Sequence, residues 1–268
     1  MTKGKMTGNN KPYLIDPLFS VSGKVALVTG STGHLGTVIV NTLREYGAEV
    51  IGVYRDESKK PDLARTLKMD MYTRDSYELL PEFAKENPID ILINNAHEMN
   101  KDTGFNVEYD MLEHYDPWQW WRNEVGGLSF PAALISAFGS GMKERGYGNI
   151  INISTMYALV APSPALYHNT DYMNPPAYSA VKAGLLSLTR YVASFWGKYG
   201  IRCNAILPGA FPKSQADQAF IKRLSDRTCL GRVGRPEELA GPIIFLASEA
   251  SSYMTGQALT IDAGWGII

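Results

Sequence analysis

The chain has 268 residues, 45% of them hydrophobic and 20% charged, with a formal net charge of −1. That length suits one large α/β domain better than two, and the balanced charge offers neither a basic excess for nucleic acid nor a Lys/Arg-rich amphipathic stretch for a membrane surface. Two cysteines, Cys203 and Cys229, have no metal-ligand spacing and make no disulfide framework, so no metal is expected and a reducing cytoplasm is the expected compartment.

Residues 1–20 read as a polar tail broken by Gly, Asn and Pro, without the apolar core of a signal peptide, and no later run approaches a membrane span. Residues 21–268 read as the domain. Residues 24–29 (KVALVT) form a buried strand that runs straight into glycine. A helix is predicted over 36–46, ended by Gly47. Strands follow at 49–54 and, more weakly, 66–69. A helix over 75–87 is closed by Pro88, and a strand at 89–93 precedes Asn94-Asn95-Ala96. Residues 118–145 are mostly helical, 149–153 a strand, 176–199 a long helix and 202–207 a strand. A helix over 236–247 and a strand at 258–261 complete the chain. This alternation predicts a doubly wound parallel sheet with helices on both faces, a Rossmann-like single α/β domain in three layers. Three stretches interrupt the rhythm: 97–121 (acidic and aromatic), 156–177 (rich in Pro and Tyr) and 210–232 (rich in Lys and Arg). The first two follow strand ends, where open α/β sheets place ligands, and all three are expected to be substrate loops.

The first strand leads into Gly30-Ser31-Thr32-Gly33-His34-Leu35-Gly36. Glycines here permit a tight turn, close approach of backbone to a pyrophosphate and close helix–strand packing, and the following helix N-terminus attracts the anion. The second strand ends at Tyr54, followed by Arg55 and Asp56. A guanidinium at that place suits the 2′-phosphate of NADP, and the Tyr54 ring can flank adenine. A one-residue shift would instead bring Asp56 to the ribose, as NAD sites require, so NADP is expected and NAD stays open.

Tyr178 and Lys182 are four apart in a predicted helix and share one face. A phenol is a poor base near neutrality, and an ammonium about 4 Å away would lower its pKa by up to roughly three units. Tyr178 would then give a proton to a carbonyl oxygen or take one from an alcohol.

Asn94-Asn95-Ala96, Tyr178-Ser179-Ala180-Val181-Lys182, Asn204 with Pro208-Gly209, and the ending from Gly256 to Gly264 resemble the short-chain dehydrogenase/reductase family, in family order and over nearly the whole chain. The resemblance implies hydride transfer between NADP(H) and a small carbonyl or alcohol substrate, and a homodimer or homotetramer. It implies that Thr155, in the family's serine position, holds the substrate oxygen, with Ser154 as the other candidate. Asn123 is matched to an asparagine that anchors a proton path through the lysine. The cofactor set it implies comprises Gly30, Thr32, Gly33, His34, Leu35, Gly36, Tyr54, Arg55, Asp70, Met71, Asn95, Ala96, Tyr178, Lys182, Pro208, Gly209 and Phe211. Departures are also visible. His34 takes the middle-glycine position of the turn, and His97 follows Asn-Asn-Ala where glycine is usual, as a proton shuttle, a substrate contact or a plain loop residue. Lys213 or Ser214 stands in for a usual threonine. A non-catalytic NADP(H)-sensing protein and an enzyme of sugar or sugar-nucleotide modification are the alternative readings.

Overall fold

The computed structural model describes residues 17–105, 113, 115–168, 170 and 173–268. Seven strands form one parallel sheet: β1 (Val25–Thr29), β2 (Glu49–Tyr54), β3 (Arg65–Lys68), β4 (Ile91–Asn94), β5 (Gly148–Ile153), β6 (Ile201–Pro208) and β7 (Ala258–Ile261). Their order is β3-β2-β1-β4-β5-β6-β7. The order reverses between β1 and β4, which opens a crevice at their carboxyl ends.

Short apolar strands make the sheet because both of its faces are buried. Successive residues alternate between two cores. Ala26, Val28, Ile91 and Ile93 pack with Ile39, Val40 and Leu43 of α1 (Gly36–Glu45) and with Ile243 and Leu246 of α7 (Ala240–Ala247). Leu27 and Leu92 face the other way, onto Leu80 of α2 (Arg74–Glu86), Leu134 and Phe138 of α4 (Phe130–Arg145) and Val192 of α5 (Pro176–Trp196). Three layers in one domain result, as the alternation predicts.

Several boundaries differ from expectation. The predicted tail, residues 1–20, lies mostly outside the described residues, but Pro17–Phe19 forms a short turn and Phe19 packs on the core. The fourth strand starts later than predicted and takes in Asn94, whose Nδ2 donates to Oδ1 of its ladder neighbour Asn152 at 2.8 Å. The loop at 210–232 contains a helix, α6 (Gln218–Ser225), capped by Asp217. A continuous helical segment, α3 (Pro117–Glu124), a π-helical turn (Val125–Ser129) and α4, spans Pro117–Arg145 and is long and apolar enough to cross a membrane by length and composition. More than half of its most apolar stretch is buried inside the fold, as befits a core helix.

Candidate active site

β1 hands the chain to Gly30 at φ 63°, where only glycine is unstrained. The turn is tight: a Cβ on Gly36 would lie 2.0 Å from the Gly30 carbonyl oxygen. Asn95 braces it, its Nδ2 donating to the carbonyls of Thr29 (3.0 Å) and Gly30 (3.2 Å). The Thr29 hydroxyl accepts from the amides of Asn95 and Ala96, both at 2.9 Å. Thr32, Gly33 and His34 are exposed, Leu35 is half-buried, and no side chain caps the N-terminus of α1. The positive end of the helix dipole, with no side chain on it, therefore lies beside the glycine turn. These residues fit a dinucleotide pyrophosphate.

Beyond β2, Arg55 is half exposed and places Nη1 3.0 Å from Glu98 Oε1. Glu98 also pairs with Arg122, whose guanidinium lies 3.8 Å over the Tyr72 ring. Burial opposes ionisation of Glu98, but hydrogen bonds from Arg122 and Arg55 outweigh it and hold the carboxyl below its usual range. Asp56 accepts from the amide (3.0 Å) and hydroxyl (2.7 Å) of Ser58 and so caps the next turn. The Tyr54 ring is buried, with its hydroxyl on Glu57, and so does not offer the adenine flank expected of it. Asp70 and Met71 lie half-buried past β3, Asp70 accepting from the Tyr72 amide at 3.0 Å.

After β5 the side chains of Ser154 and Thr155 part. Ser154 donates to the Lys182 carbonyl at 2.9 Å, a structural bond, whereas the Thr155 hydroxyl acts on the Tyr178 phenol and lowers its pKa. Lys182, buried, donates from Nζ to the Ile153 carbonyl at 2.8 Å and stands 6.0 Å from the Tyr178 ring centre. One expectation is corrected here. Instead of an ammonium lowering the phenol, burial raises Tyr178 to about 12, against a smaller lowering by Thr155, and burial lowers Lys182 to about 7. Both groups are buried, and the lysine's proton is directed at a backbone carbonyl.

Two further rings meet the Tyr178 ring edge-on, His97 at 4.9 Å and Phe105 at 5.2 Å. Asn123 is fully buried. Its Nδ2 donates to the carbonyls of Thr103 and Gln119, both at 2.8 Å, so its Oδ1 must accept from His97 Nε2 at 3.2 Å. His97 is thereby fixed as the Nε2–H tautomer. Burial, then the Lys182 charge, lower its pKa to about 3, so the imidazole is neutral near pH 7. Asn123 lies two residues before the π-helical turn, a distortion frequent at functional sites.

Not every expected residue converges. Pro208 and Gly209 end β6 beside β7, with the Gly209 amide on the Ile261 carbonyl at 2.9 Å. Phe211 is committed to packing: a Cβ on Gly234 would lie 2.4 Å from its ring. Lys213 and Ser214 are exposed. The basic stretch is partly neutralised, Lys222 by Asp226 (2.6 Å) and Arg232 by Glu238 (2.7 Å). Sequence reasoning missed Phe105, Glu98, Arg122 and Tyr72; the composition of the 97–121 loop was a signal for Phe105 and Glu98, and Arg122 and Tyr72 gave none.

Comparison with known proteins finds related oxidoreductases. A family model described as enoyl-(acyl carrier protein) reductase matches residues 31–266. The 2-dehydro-3-deoxy-D-gluconate 5-dehydrogenase of Dickeya dadantii is 31% identical, over 92% of this chain and 97% of that protein. The L-rhamnose-1-dehydrogenase of Scheffersomyces stipitis is 32% identical, over 91% and 96%. Among solved structures, a gluconate 5-dehydrogenase from Burkholderia cenocepacia in complex with NADP and tartrate has a TM-score of 0.80 at 30% identity, covering 93% of this chain and 97% of that one.

Proposed function

The chain belongs to the short-chain dehydrogenase/reductase family, and from that premise we propose that it interconverts a secondary alcohol and a ketone on a sugar or sugar acid, with NADP(H) preferred. It is an oxidoreductase that uses a nicotinamide dinucleotide, which supplies or takes up the hydride. The observation that carries the proposal is the Thr155–Tyr178 hydroxyl pair, with buried Lys182 one helical turn from Tyr178, at the carboxyl end of the sheet beside the glycine cradle.

The roles divide as follows. The Gly30–Gly36 turn and the first amides of α1 hold the pyrophosphate, and Arg55 reaches the 2′-phosphate. Thr155 and Tyr178 hold the substrate oxygen between two hydroxyls. At neutral pH Tyr178 rests as a phenol, so it is poised to deliver its proton to a ketone oxygen, and alcohol oxidation returns the proton to the same atom. Lys182 relays that proton, and Asn123 holds His97 and the π-helical turn in place. The sugar reading draws on the names of the relatives and on the polar, hydroxyl-bearing surroundings of Tyr178. A purely sensing protein would not need Thr155, Tyr178 and Lys182 together. A homodimer or homotetramer is supported by Tyr191 and Phe195 of α5, exposed and stacked at 4.3 Å. Leu185, Leu186 and Val192 of the same helix are buried in internal packing.

The test is Tyr178→Phe. Turnover on gluconate and related aldonates should fall by at least about a hundredfold while NADPH binding persists. Undiminished turnover would sink the mechanism.

A further inference from the structure

The segment between Thr155 and α5 carries hydroxyls that the proposed mechanism does not use. Tyr157 donates its amide to Thr155 Oγ1 at 3.3 Å, and its buried ring meets Trp265 edge-on at 6.3 Å. Ten residues on, Tyr167 donates its hydroxyl to the Tyr157 hydroxyl at 3.3 Å. Asn174 in turn hydrogen-bonds Tyr167. Since the Tyr167 proton is directed at Tyr157, the phenol oxygen is the acceptor and the Asn174 amide nitrogen the donor. A one-way chain results, Asn174 to Tyr167 to Tyr157. It ends on the Tyr157 proton, which neither of the other two can accept. At the opposite end, Asn174 Oδ1 is buried without a hydrogen-bond partner. The chain is tied to the site through Tyr157, which sits two residues after Thr155 and bonds the Thr155 hydroxyl through its amide.

A wall with only a packing role would be expected to be apolar, because each buried polar atom without a partner costs about 1–3 kcal/mol. This wall instead offers an unmatched donor and an unmatched acceptor beside the reacting centre. Hydrogen bonds in series polarise one another, so the last hydroxyl is the strongest donor. We propose that Tyr157 is a substrate-binding residue that donates to a second substrate oxygen, on the carbon next to the reacting one, with Tyr167 and Asn174 as positioning residues behind it. The substrate class is then a vicinal diol and its α-hydroxyketone. The inference rests on Tyr178 acting at an alcohol or ketone oxygen, but not on the substrate being a sugar.

A matched pair of ring alcohols tests it: trans-cyclohexane-1,2-diol and cyclohexanol, with NADP+, and gluconate as a third arm. Wild-type kcat/KM should favour the diol by at least about tenfold, because a site built to bond a hydroxyl rejects the analogue lacking it. Tyr157→Phe should collapse that ratio toward one, chiefly through the KM for the diol. Tyr167→Phe keeps the terminal hydroxyl but removes its polarising donor, and should lower the ratio several-fold; it decides the matter if Tyr157→Phe does not fold. A ratio that survives both substitutions overturns the proposal, as does a wild type that shows no diol preference or turns over neither alcohol. Diol preference without activity on gluconate supports the proposal and sinks the sugar reading instead.

Discussion

Arg55 is where the choice between two cofactors comes down to one guanidinium. It is half exposed, and its partner Glu98 is only 10% exposed and shared with Arg122. Glu98 therefore both steadies the Arg55 side chain and competes with any phosphate for it. A phosphate carries more charge and more acceptor oxygens than the one carboxylate oxygen Arg55 now contacts, so exchange of partners is favourable. Arg55→Ala should raise the KM for NADPH by about tenfold, the loss of a charge-assisted contact worth about 1.5 kcal/mol, and leave that for NADH nearly unchanged. Steady-state kinetics with both cofactors give the answer. Equal losses would mean that Arg55 acts through the local fold. Asp56, the residue that keeps NAD open on sequence grounds, is held by Ser58.

At the scale of elements, the site depends on how closely the π-helical turn approaches α5. Gly127 makes that approach possible: a Cβ there would lie 2.5 Å from Val181 Cγ2 and 3.2 Å from His97 Cε1. Val181 precedes Lys182 on α5, so pushing these elements apart would move the lysine and the histidine together. Gly127→Ala should destabilise the protein by about 1–3 kcal/mol and lower kcat, whereas pairing it with Val181→Ala should restore much of both. Denaturant unfolding and kcat on the single and double variants check this; a double variant no better than the single would place the strain elsewhere. The same elements show what sequence alone reveals. The glycine turn and the Tyr178–Lys182 pair are legible because their spacing lies within one turn or one helix, whereas Thr155 comes only from the family resemblance. The bond from His97 to Asn123 joins residues 26 apart, and the pairing of Arg55 with Glu98 joins residues 43 apart. No local pattern encodes either. The π-helical turn is hidden in a run that reads as ordinary helix, and the inward turn of the Tyr54 ring depends on Glu57, not on its strand position.

Over the whole molecule, the price of this site is two bases kept out of water. His97 has its Nε2 bonded to Asn123 and its Nδ1 buried, and its pKa falls from 6.5 to about 3. The unfolded chain thus takes up the proton first. Stability contributed by neutral His97 is fully present above about pH 6.5 and is lost progressively as the pH falls toward 3. Lys182, lowered from 10.5 to about 7, has the same sign in a different window: its burial penalty is largest below pH 7 and is relieved as the pH rises from 7 to 10.5. The two windows separate the residues experimentally. Between pH 7 and pH 5 His97 makes the largest change in proton count on unfolding, about 2 kcal/mol of lost stability, and Lys182, half protonated in the folded protein at pH 7, adds less than about 0.5 kcal/mol. His97→Asn should therefore flatten the pH dependence of urea unfolding in that range while leaving the slope between pH 8 and 10 intact. If the acid slope persists in the variant, His97 takes up its proton in the folded protein as readily as in the unfolded chain, and its burial does not hold it neutral.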